Sequence, residues 1–276
     1  MQHSKQNLIL YKYGRNILPF VPRETPKRQK KSDDTGPAST ASAHTGRTMM
    51  FNELSLILDT TPNDCPIDEI KRLVYEENIL QKGSISSRQK SFYHLALLYS
   101  LDIQNNIFST LRFFWSVAPD ERALVALESA IAQDHILRYS AQIILPLECD
   151  SQITKEDMIE HIEQEYRKYY TPKLIDSISL NLLSSWAQSG HLSGKLKKVR
   201  RKAVAGPASL TYALYLGQLT GLQGASLFDT VFVHALDATD TEIQEYLHAA
   251  MKKGWLIYRS AGGIIELTLT LDHGRR

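Results

Sequence analysis

The densest chemistry in the sequence is cationic. From Lys195 to Lys202, six of eight residues are positively charged (Lys195, Lys197, Lys198, Arg200, Arg201, Lys202), and only Leu196 and Val199 interrupt them. Cations fixed at a junction between folded pieces suit a polyphosphate backbone, because each neutralised phosphate releases a condensed counterion. A run of like charge is also what a solvated surface presents, so the run alone leaves both readings open. A second cluster lies in Lys82-Gly83-Ser84-Ile85-Ser86-Ser87-Arg88-Gln89-Lys90. Ser86 and Gln89 have the spacing of a capping box, which places a helix start there. Free amides at such a start, with Ser84, Ser86, Lys82, Arg88 and Lys90 around them, form a competent phosphate site. Solvation of the same cations is the alternative.

Other chemistry is hard to find. The sequence has no Gly-x-x-x-x-Gly-Lys loop, no Gly-x-Gly-x-x-Gly, no His-Glu-x-x-His and no Gly-x-Ser-x-Gly. His135, His161, His191, His234 and His248 have no second histidine at ligand spacing. Acid pairs such as Asp68-Glu69 and Asp120-Glu121 open helices, where capping and the helix dipole account for them. Cys65 and Cys149 are the only cysteines, which gives neither a disulfide framework nor a cysteine zinc site and fits a reducing, cytoplasmic setting. The expectation is a non-enzymatic protein with no catalytic residue, no metal and no cofactor.

The elements that must position the cations are mostly helical. Pro66-Ile67-Asp68-Glu69 opens a helix running to about Tyr75 or Asn78. Others follow over Ile107–Val117, from Pro119, from His135 to Leu145, from Thr154 to Tyr169, and over Leu174–Gln188 with Ile175, Ile178, Leu182 and Trp186 on one stripe. The aromatics Phe108, Phe113, Phe114 and Trp115 recur at core spacing and read as packing. Residues 51–190 thus read as a helical bundle, and 191–206 as a basic connector of undetermined local structure. Beyond it, Ala208–Leu219 and Leu227–Leu236 read as buried helices, and Thr239-Asp240-Thr241-Glu242 is a capping box. The stretches around Trp255–Tyr258 and Ile264–Leu269 flank Ser260-Ala261-Gly262-Gly263, a hairpin with a glycine turn. Helix, helix, helix, hairpin is the order of a winged-helix unit. Its third helix would enter the major groove, yet Glu242, Gln244 and Glu245 at its start would repel phosphates. Base-specific readout is therefore not expected.

Charge is unevenly distributed along the 276 residues. Residues 1–50 carry nine Lys/Arg against three Asp/Glu, and the remainder 23 against 27. Residues 1–48, with Pro22, Pro26, Pro37 and Lys27-Arg28-Gln29-Lys30-Lys31, read as a largely disordered basic extension, and Met49-Met50 as a possible internal start of translation. No apolar run approaches the about 18 residues that span a bilayer, so no membrane partner is expected.

Asn78-Ile79-Leu80-Gln81-Lys82 with Ser84, Ser87 and Arg88, the aromatic-rich helix, the Pro119-Asp120-Glu121-Arg122-Ala123 start, the Ser184-Ser185-Trp186 to Arg201 passage and the terminal hairpin together resemble the BrxA family of bacteriophage-exclusion (BREX) defence systems. The likeness covers roughly residues 51–270. Gly83 departs from it where a larger polar or basic residue belongs. The resemblance implies a mainly α fold, with a NusB-like helical bundle (49–190), the connector (191–206) and a winged-helix-like α+β unit (207–276). It further implies a DNA-binding accessory protein that acts beside other phage-defence proteins. An RNA-binding factor of the NusB type and a protein-interaction scaffold are the alternatives.

Overall fold

The structure is a computed structural model that describes residues 41–195, 197–261 and 264–270. It is mainly helical, with one small antiparallel sheet and a C-terminal hairpin. Residues 1–40 of the expected extension lie outside the described residues.

Helix α1 (Phe51–Thr60) buries Leu54, Ile57 and Leu58. After Pro66, α2 (Ile67–Arg72) widens into a π turn over Leu73–Glu77 and stops at Asn78, whose φ of 56° is left-handed. Asparagine tolerates that geometry, and here its Oδ1 also accepts the Lys82 N–H at 2.8 Å, closing the Asn78–Lys82 turn over buried Leu80. The next helix, α3 (Ile85–Tyr99), begins earlier than its expected capping box. Ser84, in extended geometry, is the cap, and its hydroxyl accepts the Ser87 N–H at 3.2 Å.

Helices α4 (Asn106–Val117), α5 (Arg122–Gln133) and α6 (His135–Ile144) follow with short joints, capped at Asn105 and Asp134 where named side chains accept first-turn amides. Capping box Thr154–Asp157 opens α7 (Lys155–Tyr166), and Thr171 with Pro172 opens α8 (Pro172–Gln188). The expectation of unbroken helix from 51 to 190 fails at one point, just before α7. β1 (Gln152–Ile153) precedes α7, and the basic stretch supplies β2 (Leu192–Ser193) and β3 (Lys198–Arg200). The sheet order is β1-β3-β2, with Gln152 opposite Val199 and Leu192 opposite Arg200. The connector is therefore neither helix nor loop but a small hairpin joined to a strand from 46 residues upstream, a pairing with no local sequence signal.

Helix α9 (Pro207–Leu219) is buried on nearly all sides and packs against α4, α5 and the later α11. Tyr212 illustrates why: its ring lies 6.1 Å from that of Phe114, and its hydroxyl donates to the Ile107 carbonyl at 3.0 Å. The buried apolar side chains before and after the connector form one core. The expected boundary there marks a change of secondary structure, not a gap in packing. The expected Leu227–Leu236 helix is broken into a 3-10 turn (Gly224–Phe228) and a single helical turn, α10 (Val231–His234), because Thr230 is extended and caps Val233. Helix α11 (Asp240–Lys252) has the expected Thr239–Glu242 box. Strands β4 (Leu256–Ala261) and β5 (Ile264–Leu269) pair from Leu256↔Leu269 to Ala261↔Ile264, so Ser260 and Ala261 extend the strand instead of the turn. Gly262 and Gly263 of that turn lie outside the described residues.

The extension also needs correction at its end. Ser42, Ala43 and His44 are buried, and a 3-10 turn (Ala43–Thr45) lies between α3 and α8. Polar contacts distant in sequence order it, as described next.

Candidate nucleic-acid interface

The six cations of the connector differ sharply in their surroundings. Arg200 is only 2% exposed. Its guanidinium donates to the carbonyls of Ile144 at 3.1 Å, His191 at 3.4 Å and Arg201, and pairs with Asp237, which sits in the left-handed region with φ 53°. Removing one partner of such a buried pair costs on the order of 3–5 kcal/mol, which makes Arg200 a fastening between the sheet and the loop before α11. Arg201 pairs with Asp150 and donates to Ser193 Oγ at 3.1 Å, while Lys202 reaches Glu242 at 2.5 Å. These two pairs are partly exposed, and surface pairs contribute only about 0–1 kcal/mol, so either cation can exchange its carboxylate for a phosphate. The bonds from Lys202 and Thr239 hold the Glu242 carboxyl low, at about 2.

The tip of the β2–β3 hairpin is different. Lys195 and Lys197 are exposed, and no ion pair is described for either. Lys198, half-buried, lays its ammonium on the Gly194 carbonyl at 2.7 Å, and burial pushes it below the usual lysine range. Gly194 has φ 92°, and a Cβ there would meet the Lys197 carbonyl oxygen at 2.3 Å. Only glycine permits this tight crossing, which turns Lys195 and Lys197 outward together.

The Lys82–Lys90 cluster is largely occupied by its own fold. Lys82 pairs with Glu53 at 2.7 Å, and Arg88 donates to the Tyr75 carbonyl at 2.8 Å. Ser84 caps α3, leaving Ser86 and Lys90 exposed. No described hydrogen bond or ion pair joins this cluster to the hairpin. A Cβ at Gly83 would meet nothing within 4 Å, so a larger residue fits there without rearrangement.

One polar group arrangement was invisible in the sequence. His44 Nδ1 lies 3.0 Å from Asp134 Oδ2, and His44 Nε2 lies 2.9 Å from Ser185 Oγ. This is the hydrogen-bond order of a serine nucleophile, a histidine and an aspartate. Its surroundings give it another role. All three side chains are buried, and Ser185 Oγ also accepts the Met49 N–H at 2.8 Å and donates to the Asn181 carbonyl at 2.8 Å. Ser42 donates to the same aspartate at 2.8 Å. Burial raises the Asp134 carboxyl, but the His44 charge and the bonds from His44, Leu137 and Ser42 outweigh that and hold it well below the usual carboxylate range. The cluster straps residues 42–50 to α5, α6 and α8. The partners are 90 and 141 residues from His44, too far apart for any spacing rule to find.

Near the C terminus, a crevice of about 220 Å³ opens between the Gly224–Phe228 turn, α11 and the β4–β5 hairpin, walled by Phe228, Ile243, Tyr258 and Ile265 with Asp240 at its side. None of the cations named above lines it. No helix among the described residues is long and apolar enough to cross a membrane. No family model matches the sequence, and no curated protein matches it.

Proposed function

We propose that this protein binds duplex DNA through its backbone, with little sequence specificity, as a non-enzymatic accessory protein of a BREX-type phage-defence system. The observation that carries the DNA reading is the β2–β3 tip. Two exposed lysines, with no ion pair among the described residues, stand at a glycine-dependent crossing, and three further cations stand at the hairpin base and edge. Lys195 and Lys197 supply the first phosphate contacts, Lys198 supports them, and Arg201 and Lys202 exchange their surface carboxylates for phosphates. Arg200 holds the platform. The assignment to phage defence rests on the resemblance to BrxA proteins alone. In the same reading the helices before the hairpin are NusB-like, and α9, α10, α11 and β4–β5 form a winged-helix-like unit. The exposed charge of Asp240 and Glu245 on α11 favours the hairpin over that helix as the DNA contact.

The test is fluorescence anisotropy of the full chain with labelled duplex DNA across a salt titration. Affinity should fall steeply with salt, and replacing Lys195 and Lys197 by Ala should reduce the log–log slope by about 2 whatever the DNA sequence. Undiminished binding in that variant would remove the hairpin as the site. Preference for structured RNA over duplex would favour the RNA-binding alternative, and no shift at low salt would favour the scaffold.

A further inference from the structure

The two edges of the β4–β5 hairpin are not equivalent. The Thr270 N–H donates to the Trp255 carbonyl at 3.0 Å, which fixes the parity of the ladder. In an antiparallel pair, alternate residues exchange both bonds with the partner and the residues between them point both groups outward. Leu256, Tyr258 and Ser260 therefore face away from β5, and Ile265, Leu267 and Leu269 face away from β4. The outer edge of β5 is covered: Gln218 Nε2 donates to the Leu267 carbonyl at 3.1 Å, and the Gly224–Phe228 turn lies along the strand. No described hydrogen bond reaches the outer backbone groups of Tyr258 or Ser260. Beside this open edge, Ile257 is 46% exposed. An open edge with an exposed apolar residue is a template for another strand.

We infer that β4 is a homodimerisation edge, pairing antiparallel with β4 of a second copy about a two-fold axis at Tyr258. The occupant follows from self-complementarity, which a two-fold interface requires. In this register Tyr258 meets Tyr258, and Leu256 meets Ser260, each pair using outward-facing groups. On the opposite face Ile257 of each copy meets Arg259 of the other, so the single charge of β4 never faces its like. Each Arg259 keeps Glu266, 3.7 Å away across its own hairpin, on its far side. The four strands then form one sheet in which each Arg259 lies between its own Glu266 and Ile257 of the other copy.

The register makes a prediction of opposite sign for two substitutions at one exposed position. Ile257→Arg sets Arg against Arg and should shift the dimer toward monomer, whereas Ile257→Glu sets Glu against Arg and should keep or tighten it. Ser260→Pro removes an outward N–H without touching the β4–β5 ladder and should also give monomer. Sedimentation velocity of the full chain, from low to high concentration, reads all four proteins, with circular dichroism as the check on folding. A wild type that is monomeric throughout overturns the proposal. A dimer that survives Ser260→Pro, or one weakened equally by Arg and Glu at 257, overturns the edge and the register respectively. DNA binding is a separate readout: a monomer that still binds DNA sinks only the dimer.

Discussion

Glu121 accepts the backbone N–H of Ser209 at 2.7 Å and the Ser209 hydroxyl at 2.8 Å, so the acid that precedes α5 caps the start of α9. Glu121 sits where its own helix dipole already explains a carboxylate, and that local reading conceals its use by a residue 88 positions later. The contact depends on Gly206, since a Cβ there would stand 2.6 Å from the Glu121 carboxylate. Glu121→Ala should destabilise the protein by about 1–2 kcal/mol, the usual effect of losing a cap. Gly206→Ala acts through the same joint, so the double variant should lose less than the sum of the singles in urea unfolding.

The His44–Asp134 strap predicts that the arm is part of the folded body. A chain beginning at residue 49 removes His44 and Ser42, and with them the charge partner of Asp134 and several of its hydrogen bonds. It should be less stable than a chain beginning at residue 41 by about 3–5 kcal/mol, measured by denaturant unfolding of the two side by side. Because the Asp134 carboxyl is depressed in the fold, this contribution is present above the ordinary carboxylate range and lost as pH falls below it. Equal stability of the two chains would make the arm dispensable.

His191 gives a pH dependence in a different window. Burial outweighs its neighbours and pushes its imidazole down to about 4. The fold therefore holds it neutral while the unfolded chain takes up a proton near pH 6.5, and stability should fall as pH drops from about 6.5 to about 4. The full effect reaches up to about 3 kcal/mol, and no more is lost from this group at lower pH. Burial also lowers His94, His135 and His161, so the decline is shared. A His191→Gln variant should show a shallower slope between those limits in thermal melts taken across pH.

Glu128 has the opposite sign. Its side chain is fully buried with no described partner for either oxygen, and burial raises its carboxyl well above the usual range, with Glu121 adding to the shift. A raised carboxyl stabilises least at high pH, because the unfolded chain releases a proton that the fold retains. Glu128→Met should therefore stabilise the protein by about 1–3 kcal/mol at neutral pH, with the gain growing as pH rises. Glu128→Gln, which leaves an unpaired amide, should gain less. Unfolding midpoints of the three proteins at two pH values decide this.

What the sequence reveals follows the range of each cause. The Thr154–Asp157 and Thr239–Glu242 boxes are local, three residues apart, and both fold as read. The hairpin is legible for the same reason, being two alternating segments joined by glycines. The β1–β3 pairing is not, because strands of two and three residues carry no period and their partner lies across α7 and α8. Charge misleads in a similar way. Arg200 and Lys195 look alike in the run, and contacts distant in sequence, to Asp237 and the Ile144 carbonyl, separate a buried fastening from an exposed cation. At 42–48 a Ser/Thr/Ala/Gly tract reads as disorder, and contacts to Asp134 and to Ser185, both far along the chain, reverse it.

Gly194 separates shape from charge at the hairpin tip. Replacing it by Ala leaves every cation in place, but sets a Cβ against the Lys197 carbonyl at 2.3 Å in a backbone with φ 92°. The neighbour here is backbone, so the turn itself must open, and left-handed geometry adds on the order of 1–2 kcal/mol of strain for a residue with a Cβ. If DNA affinity came from net charge alone, Gly194→Ala would bind as tightly as the parent with the same salt slope. If affinity depends on Lys195 and Lys197 being presented together, the variant should bind more weakly, with a slope reduced toward that of the double lysine variant. Gly83→Ala is the control, because its Cβ meets nothing within 4 Å, and it should leave both affinity and slope unchanged.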